Sequence, residues 1–251
     1  MAGAPLYQTL FALLRSQIRE GQFVAGDRLP GEVALAQQHN CSRVTIRKAL
    51  EHLASEGLVE RRQGRGTVVA SGRAIEPVRA EVSGFVENLL AMGLRTRVRV
   101  LHFAFDRPPL RIRKEMGLLA DAQALHAIRL RSYKGKPFSY SIAWVPEELG
   151  QTFSRAELEA KPLTQLLRQA GVSAVRAHQR VFATSADTIM APLLGVELGS
   201  PLLGIERRVE ESSGRVVEFL RVFYHPDRYE FEITMESDPQ REGGAWKAAE
   251  G

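Results

Sequence analysis

The sequence predicts an α+β chain of two domains, and three observations lead to that prediction. Helix-like spacing of apolar residues dominates residues 1–70, the first domain. A polar stretch over 71–80 then interrupts the pattern, as expected of a linker. Strand-like runs joined by short turns fill most of 81–236, and such connections favour an antiparallel sheet covered by helices. The polar, Gly-rich residues 237–251 are expected to form a disordered tail.

The first domain is predicted to contain three helices followed by two short strands. The helices are expected at about 5–20 and 31–39 and between Ser42, which is placed as an N-cap, and Gly57, which ends the third helix. In the second helix, the residues expected to point inward are Val33, Leu35 and Ala36. The strands are expected at 58–60 and 67–69. This order of elements is that of a winged helix-turn-helix.

The second domain mixes strands with shorter helices. Two hairpin turns are indicated by Gly-containing tetrapeptides at 134–137 and 212–215. The strands are expected near 96–105, 124–133, 138–145, 174–183, 202–210, 216–224 and 229–235. The helices are expected at 83–92, 110–118, 155–170 with a break at Pro162, and 185–194.

Composition excludes several classes of protein. Hydrophobic residues make up 44% and charged residues 25% of the 251, which suits a globular core. No run approaches the roughly 18 apolar residues of a membrane span, and the first residues lack the pattern of a secretory signal. Cys41 is the one cysteine, so we expect a reducing cytoplasm. The six histidines include no close pair at ligand spacing, and no nucleotide motif is present, so neither metal nor cofactor is expected.

Positive charge is concentrated near the N-terminus. Residues 1–75 hold ten Lys and Arg against six Asp and Glu, and therefore carry +4 of the formal net charge of +5. Such a segment is compatible with a polyanionic partner such as double-stranded DNA, although a charge excess of this size is also common on a solvated surface. A nonspecific nucleoid-type binder is an alternative, but that class would spread its basic charge over much of the chain.

The start of the third helix carries the expected DNA-reading surface. Arg43 and Arg47 lie four apart and so neighbour each other on one helix face. The backbone N–H groups of the helix start are available to a phosphate, and an exposed Val44 would suit a thymine methyl, although one exposed valine is equally compatible with no role. The candidate residues of this surface are Ser42, Arg43, Val44, Thr45, Arg47 and Lys48.

The tip of the wing supplies a second candidate DNA contact. One long cation stands between two glycines, which let the backbone turn tightly and approach a surface closely. Arg65 can then enter a narrow minor groove, although such a tip also serves turn geometry alone. The candidate residues here are Gln63, Gly64, Arg65 and Gly66.

These segments together resemble the GntR family of bacterial regulators. The resemblance covers residues 6–70 and is carried by Leu29-Pro30-Gly31-Glu32, by the run 41–50 and by the run 53–67. It implies that Ser42, Arg43, Thr45 and Arg47 contact an operator and that the Gly-flanked Arg65 is the wing tip.

Two arginines indicate an anion-binding interior in the second domain. Arg129 and Arg131 lie two apart, so on a strand they share one face. If that face is the interior, two guanidiniums converge and require acidic partners or a ligand. In the alternative, both face water and pair with surface acids. Glu218 and Tyr224 are an even number of residues apart and can also share one face of a later strand.

The second domain resembles the HutC subfamily, whose UTRA domain has a chorismate-lyase-like fold. The resemblance covers about 77–236, and its markers are the Arg129-x-Arg131 strand running into Gly135-Lys136-Pro137, and Glu218 and Tyr224 followed by the run 227–231. It implies a pocket for a small carboxylate or phosphate. The implied pocket residues are Arg129, Arg131, Ser139, Glu218 and Tyr224, with backbone N–H groups around Ser83, Gly84 and Phe85.

The sequence therefore predicts a ligand-responsive transcription regulator that is not an enzyme. A single winged helix reads few base pairs, so we expect a homodimer on a near-palindromic operator. The resemblance implies a repressor controlled by a small anionic metabolite. The alternative is a chorismate-lyase-like enzyme fused to a DNA-binding domain, but the common catalytic motifs are absent.

Overall fold

The chain divides into two units, Met1–Glu76 and Pro77–Gly251. A computed structural model describes residues 5–62, 66–70, 78–81, 96–237 and 246–248. The expected helix at 83–92 and most of the expected linker lie outside these ranges. None of the helices in the described ranges has the length and apolar character to cross a membrane.

The first unit has the three helices and the two-stranded wing that the sequence predicts. Its core is formed by one face of each helix and by the strands, with Leu14, Leu35, Ile46, Leu50 and Val59 almost fully buried. One prediction was wrong: Val33 is 51% exposed, because the short second helix buries only Leu35 and Ala36. The elements are α1 (Leu6–Arg19), α2 (Glu32–Gln38), α3 (Arg43–Ser55), β1 (Val59–Arg62) and β2 (Gly66–Val69).

The wing is anchored by the segment before α2. The two wing strands pair antiparallel, from Val59 opposite Val69 to Arg62 opposite Gly66. The backbone of Leu29 donates to Thr67, and Val69 donates to Asp27, so residues 26–29 extend the ladder on the other side of β2. The turn-rich stretch between the first two helices therefore holds the wing to the helical core.

The second unit is built on one six-stranded antiparallel sheet, which confirms the predicted α+β class. The strands are β3 (Val78–Glu81), β4 (Thr96–Asp106), β5 (Ala124–Tyr133), β6 (Lys136–Pro146), β7 (Ala174–Ser185), β8 (Pro201–Glu211), β9 (Val216–Tyr224), β10 (Tyr229–Glu232), β11 (Met235–Ser237) and β12 (Trp246–Ala248). The order across the sheet is β4-β5-β6-β9-β8-β7, and two short strands, β3 and β10, pair in parallel beside it.

Helices cover both faces of this sheet. The helices are α4 (Leu110–Met116), α5 (Glu147–Gly150), α6 (Arg155–Ala160), α7 (Leu163–Gln169) and α8 (Met190–Leu194). The face that carries Val100, Ala127 and Val222 is called the inner face. On it, α6 and α7 pack through Leu158, Leu163 and Leu166 against the central strands. On the outer face, α8 covers one end of the sheet and α4 covers the other.

Local signals in the sequence explain several boundaries. The break between α6 and α7 falls at Lys161, whose backbone is extended because a proline follows it. The hairpin between β5 and β6 turns through Lys134 and Gly135, and both have positive φ, as a type I′ turn requires. The helix expected at 185–194 is shorter, because the Asp187 carboxylate accepts the N–H groups of Ile189 and Met190 and delays its start.

The structure differs from the sequence predictions at both ends of the second unit. Residues 78–80, expected in the linker, belong to β3, which pairs with β10 through Val78 and Tyr229. In the expected disordered tail, β12 pairs antiparallel with β11, Ser237 lying opposite Trp246. Both additions are strands of three or four residues, too short for a periodic pattern to indicate.

Candidate DNA-binding surface and effector pocket

The first turn of α3 is fixed by a side-chain cap. The hydroxyl of Ser42 accepts the backbone N–H of Thr45 at 3.1 Å, and the two hydroxyl oxygens are 2.7 Å apart. Ser42 and Arg43 are exposed, and Val44 is 74% exposed, on the side of the helix away from Ile46 and Leu50. The helix start that was predicted to read DNA therefore presents its polar groups outward in a fixed arrangement.

Arg47 is oriented by a carboxylate that the sequence reasoning did not single out. Its Nη2 lies 3.1 Å from Oε2 of Glu32, and its Nε lies 3.4 Å from Oε1, which makes a two-pronged contact from α3 to the first turn of α2. The hydrogen bond from Arg47 lowers the pKa of Glu32. Arg61 of β1 lies 3.6 Å from the same carboxylate and donates to the Arg47 carbonyl oxygen. The Glu32 carboxylate of α2 thus contacts both α3 and the wing strand β1.

The remaining predicted DNA contacts differ in their surroundings. The Lys48 ammonium lies 3.8 Å from the ring centroid of Tyr7, so this lysine is steadied by α1 through a cation–π contact. Thr45 is half-buried, and its hydroxyl lies next to the Ser42 hydroxyl that caps the helix. Gly66 begins β2, whereas Gln63, Gly64 and Arg65 lie outside the described residues.

The register of the sheet aligns the predicted pocket residues in two rows across its inner face. In the first row, Arg131 lies opposite Val98 on one side and Ser139 on the other, and Ser139 lies opposite Tyr224. In the second row, Arg129 lies between Val100 and Ser141, and Ser141 lies opposite Val222. Strand pairing therefore brings residues from four strands, separated by more than 100 positions, into one site.

The two arginines face the interior, and the alternative in which both face water is not observed. Arg129 is 8% exposed, and burial together with the nearby charge of Arg131 lowers its pKa to about 10, while the Glu218 carboxylate opposes the shift. Burial also lowers the pKa of Arg131, which donates to the Thr96 hydroxyl at 2.7 Å. Among the described residues, no group accepts a hydrogen bond from Nε of Arg129. The interior thus holds positive charge that is only partly compensated.

A third buried arginine belongs to this cluster. Arg207 of β8 is 4% exposed, and its Nη2 lies 3.6 Å from Oε2 of the fully buried Glu218. Within the described part of the chain, neither oxygen of Glu218 accepts a hydrogen bond. The sequence carried a signal for Arg207, because it alternates with the apolar Ile205 and Val209 and so shares their buried face.

Two cavities adjoin this arginine cluster. The cavity lined by Arg129, Arg131, Ser139 and Tyr224 is small, about 20 Å³, which is room for about one water molecule. A larger cavity of about 590 Å³ opens between α7 and β7 and has Arg207 in its wall. The larger cavity is also lined by Arg168 and Arg176, but the small one contains the buried pair Arg129 and Arg131 with two serine hydroxyls, which makes it the candidate anion site.

Tyr224 is linked to a second buried tyrosine. Its ring stacks on that of Tyr229, with centroids 3.5 Å apart and planes 14° from parallel, and the two side chains are hydrogen bonded. Burial raises the pKa of both phenols, so both stay neutral and can donate or accept at physiological pH. The implied backbone contacts around Ser83, Gly84 and Phe85 lie outside the described residues.

Comparison with known proteins matches both units. Residues 6–69 match the family model described as bacterial regulatory proteins, gntR family, and residues 91–230 match the UTRA domain. The HTH-type transcriptional repressor NagR of Bacillus subtilis (strain 168) is 27% identical, and the alignment covers 90% of this chain and 93% of NagR. The HTH-type transcriptional regulator Rv0792c of Mycobacterium tuberculosis is 31% identical, with 92% and 86% covered.

Solved structures give the same fold. PhnF from Mycobacterium smegmatis superposes with a TM-score of 0.57 over 93% of this chain and 100% of that one. The sequence identity is 23%, so this likeness concerns the fold of the chain and not its ligand.

Proposed function

Since the chain belongs to the gntR family of bacterial regulatory proteins and carries a UTRA domain, we propose that it represses transcription as a homodimer whose grip on a near-palindromic operator is controlled by a small anion. It is a DNA-binding regulator of the ligand-responsive type, as its relatives are named regulators and repressors of transcription. The observation that carries the proposed ligand class is the burial of Arg129 and Arg131 side by side at one cavity, where no described group accepts a hydrogen bond from Nε of Arg129 and the Glu218 carboxylate is paired with Arg207.

The geometry of α3 supports operator reading. Its capped N-terminus offers backbone N–H groups to a phosphate, and Arg43 and Val44 extend from the same turn toward solvent. Glu32 holds the guanidinium of Arg47, whose side chain is 51% exposed, and this restraint reduces the conformational entropy lost when a guanidinium contacts a guanine edge. We propose that Arg65 of the wing enters the adjoining minor groove.

Excess positive charge supports an anionic effector. Buried charges are stable only when they are paired, and the buried Arg129 and Arg131 lie beside one carboxylate, Glu218, that already pairs with Arg207. The cavity has room for about one water molecule and must widen to take a ligand; a carboxylate or phosphate group would then accept hydrogen bonds from Arg129 and Arg131 and from the hydroxyls of Ser139 and Ser141. The ligand therefore supplies the missing negative charge of the interior.

An open sheet edge supports the homodimer. Strand β7 forms one edge of the six-stranded sheet over twelve residues and is exposed along most of its length. Val175 and Val181 on this strand are 61% and 43% exposed. A long exposed edge invites pairing with another strand, and a second copy of β7 related by a two-fold axis would complete it.

Ring stacking and strand pairing connect the pocket to the start of the second unit. Tyr224 lines the cavity and stacks on Tyr229 of β10, and β10 pairs with β3. The chain enters β3 directly from the segment that follows the DNA-binding unit. We propose that the ligand changes the placement of β3 through the two tyrosines and so alters operator affinity, by a coupling of about 1–3 kcal/mol.

We propose binding without turnover in the second unit, and a cytoplasmic location where the operator lies. Glu218, the carboxylate beside the cavity, is paired with Arg207, so it is poorly placed to act as a general base. Incubating the protein with aromatic acids tests the alternative: formation of a product would establish an enzyme.

Operator binding is tested first by selection from a random DNA library and then by titration of variants. Arg43→Ala and Arg47→Ala should each weaken specific binding by about 1–3 kcal/mol per contact, because each removes a base or phosphate contact. Arg99→Ala, at an exposed arginine of the second unit, is the control and should bind as wild type. Failure to select any sequence, or equal loss with the control, would contradict the proposal.

The effector class is tested by a thermal-shift screen of carboxylates and sugar phosphates. A ligand at about 100 times its Kd should stabilise the protein by about 2.7 kcal/mol. Arg129→Ala should abolish the shift and leave operator binding intact. A shift that persists in Arg129→Ala would place the ligand elsewhere, for instance in the larger cavity beside β7.

A further inference from the structure

Two histidines and an aspartate meet on the outer face of the sheet, opposite the pocket. Nε2 of His102 lies 2.8 Å, and Nδ1 of His126 lies 3.0 Å, from the same oxygen, Oδ2 of Asp106. The ligating atoms of all three side chains lie within 4.8 Å of one another. None of the three contributes to the effector pocket or to the DNA-binding surface.

Strand register explains how the three side chains meet. His102 and Asp106 are four apart on β4, so they share one face of the strand. A bulge between Val100 and His102 shifts the pairing so that His126 of β5 lies opposite Ala104, midway between them. The sequence contains no close pair of histidines at ligand spacing, because this site depends on pairing between strands.

We propose that His102, Asp106 and His126 bind a divalent transition-metal ion of the zinc class. Two imidazole nitrogens and one carboxylate oxygen are a common ligand set for such ions, with the remaining positions filled by water or an exogenous ligand. Metal–ligand bonds of about 2.0–2.2 Å place neighbouring tetrahedral ligands about 3.3 Å apart. The present separations of 2.8 and 3.0 Å need to widen by only a few tenths of an ångström.

The surroundings hold the site in shape and leave it open to solvent. Trp144 of β6 stacks on the His126 ring, with centroids 4.1 Å apart and planes within 3° of parallel, which fixes the orientation of that imidazole. The side chains of His102 and Asp106 are 39% and 41% exposed, so an ion can enter from water. Each neutral imidazole needs only to move its proton to its other nitrogen to free the atom that faces the carboxylate.

The experiment uses the full-length, untagged protein after treatment with a chelator. Zn²⁺ titrated in a calorimeter should bind with a stoichiometry of one per chain, and Co²⁺ should give the visible absorption of a low-coordinate site. Binding should also change the fluorescence of Trp144, measured in a Trp246→Phe background because the chain has two tryptophans. The proposal requires all three signals to saturate together.

Variants locate the ion. His126→Ala and Asp106→Asn should each weaken Zn²⁺ binding by at least about 10-fold. His178→Ala, at an exposed histidine outside the cluster, is the matched control and should leave binding unchanged. If His126→Ala fails to fold, the nearly isosteric Asp106→Asn decides. Undiminished binding in the cluster variants, or no binding at one per chain in wild type, would overturn the proposal.

Discussion

Arg129 is a buried cation whose charge the protein alone does not fully balance. Burial lowers its pKa to about 10, which corresponds to a penalty of about 3 kcal/mol on the charged folded form. Because the pKa is lowered, the penalty is constant at neutral pH and diminishes only as the pH rises above about 10. A residue that lowers stability in this way is expected at a binding site, as we propose for Arg129.

Arg129→Met should accordingly stabilise the ligand-free protein. An unbranched apolar side chain fills much of the same volume without a buried charge, so we expect the free energy of unfolding to rise by about 1–3 kcal/mol. Chemical denaturation measures the change, and Arg99→Met, at an exposed position, should stay within about 0.5 kcal/mol of wild type. A destabilised Arg129→Met would show that the guanidinium has structural partners that outweigh its burial.

At the residue scale, the sequence predicted shared faces but not partners. Alternation placed Arg129 and Arg131 together, yet only the sheet register shows that they point inward. The alternation of Arg207 with Ile205 and Val209 indicates that Arg207 is the buried one of the pair Arg207 and Arg208, but its contact with Glu218 depends on the pairing of β8 with β9. Glu32 was part of a recognised motif, but its contact with Arg47 joins two helices and could not be deduced from spacing.

The N-cap of α3 can be separated from general stability by comparison with a second cap. Ser42 caps α3, and Ser154 caps α6, where the Glu157 side chain in turn accepts the backbone N–H of Ser154. Ser42→Ala and Ser154→Ala should each reduce the free energy of unfolding by about 1 kcal/mol. Only Ser42→Ala should also weaken operator binding, because it loosens the turn that presents Arg43. Equal operator affinity in the two variants would contradict this role.

Element prediction succeeded where the pattern was long and failed where it was short. The strands from β4 to β9 and the winged-helix elements were found because their periodicity extends over many residues or ends at clear caps. β3 and β12 were missed, since three or four residues carry no usable period and are stabilised by pairing with distant strands. The His102–Asp106–His126 cluster was missed because it also depends on pairing between strands, in this case at a bulge in β4.

The exposed edge of β7 predicts how two copies associate. Replacing Val175 and Val181 together by lysine places like charges opposite each other across a two-fold strand pair and should convert a dimer into a monomer. Light scattering coupled to size exclusion measures the mass. Leu119→Lys, at a residue that is 77% exposed elsewhere in the same unit, is the control and should leave the dimer intact. A dimer that persists in the double variant would locate the interface on another surface.

On the scale of the whole molecule, regulation requires that the free energy of operator binding by the first unit depend on whether the pocket of the second unit holds a ligand. A ligand shifts operator affinity only if it binds one arrangement of the protein better than another. The stacked Tyr224–Tyr229 pair is the described contact that runs from the cavity to β10, and β10 holds β3 by parallel pairing. A change in this pair should therefore reduce the effect of the ligand on operator affinity more than it reduces the affinity for the ligand itself.

Tyr229→Phe tests this route because it removes one hydroxyl and keeps the stacked ring. The hydrogen bond to Tyr224 is lost, while Tyr224 and the arginines that line the cavity remain. We expect the thermal shift caused by ligand to persist and the ligand-induced change in operator affinity to shrink by about 5-fold or more, since a coupling of 1–3 kcal/mol can be removed by one hydrogen bond. Tyr133→Phe, at a half-buried tyrosine on β5, should retain the full response. If Tyr229→Phe also responds fully, β10 and β3 do not carry the signal; if it loses ligand binding, Tyr229 belongs to the pocket itself.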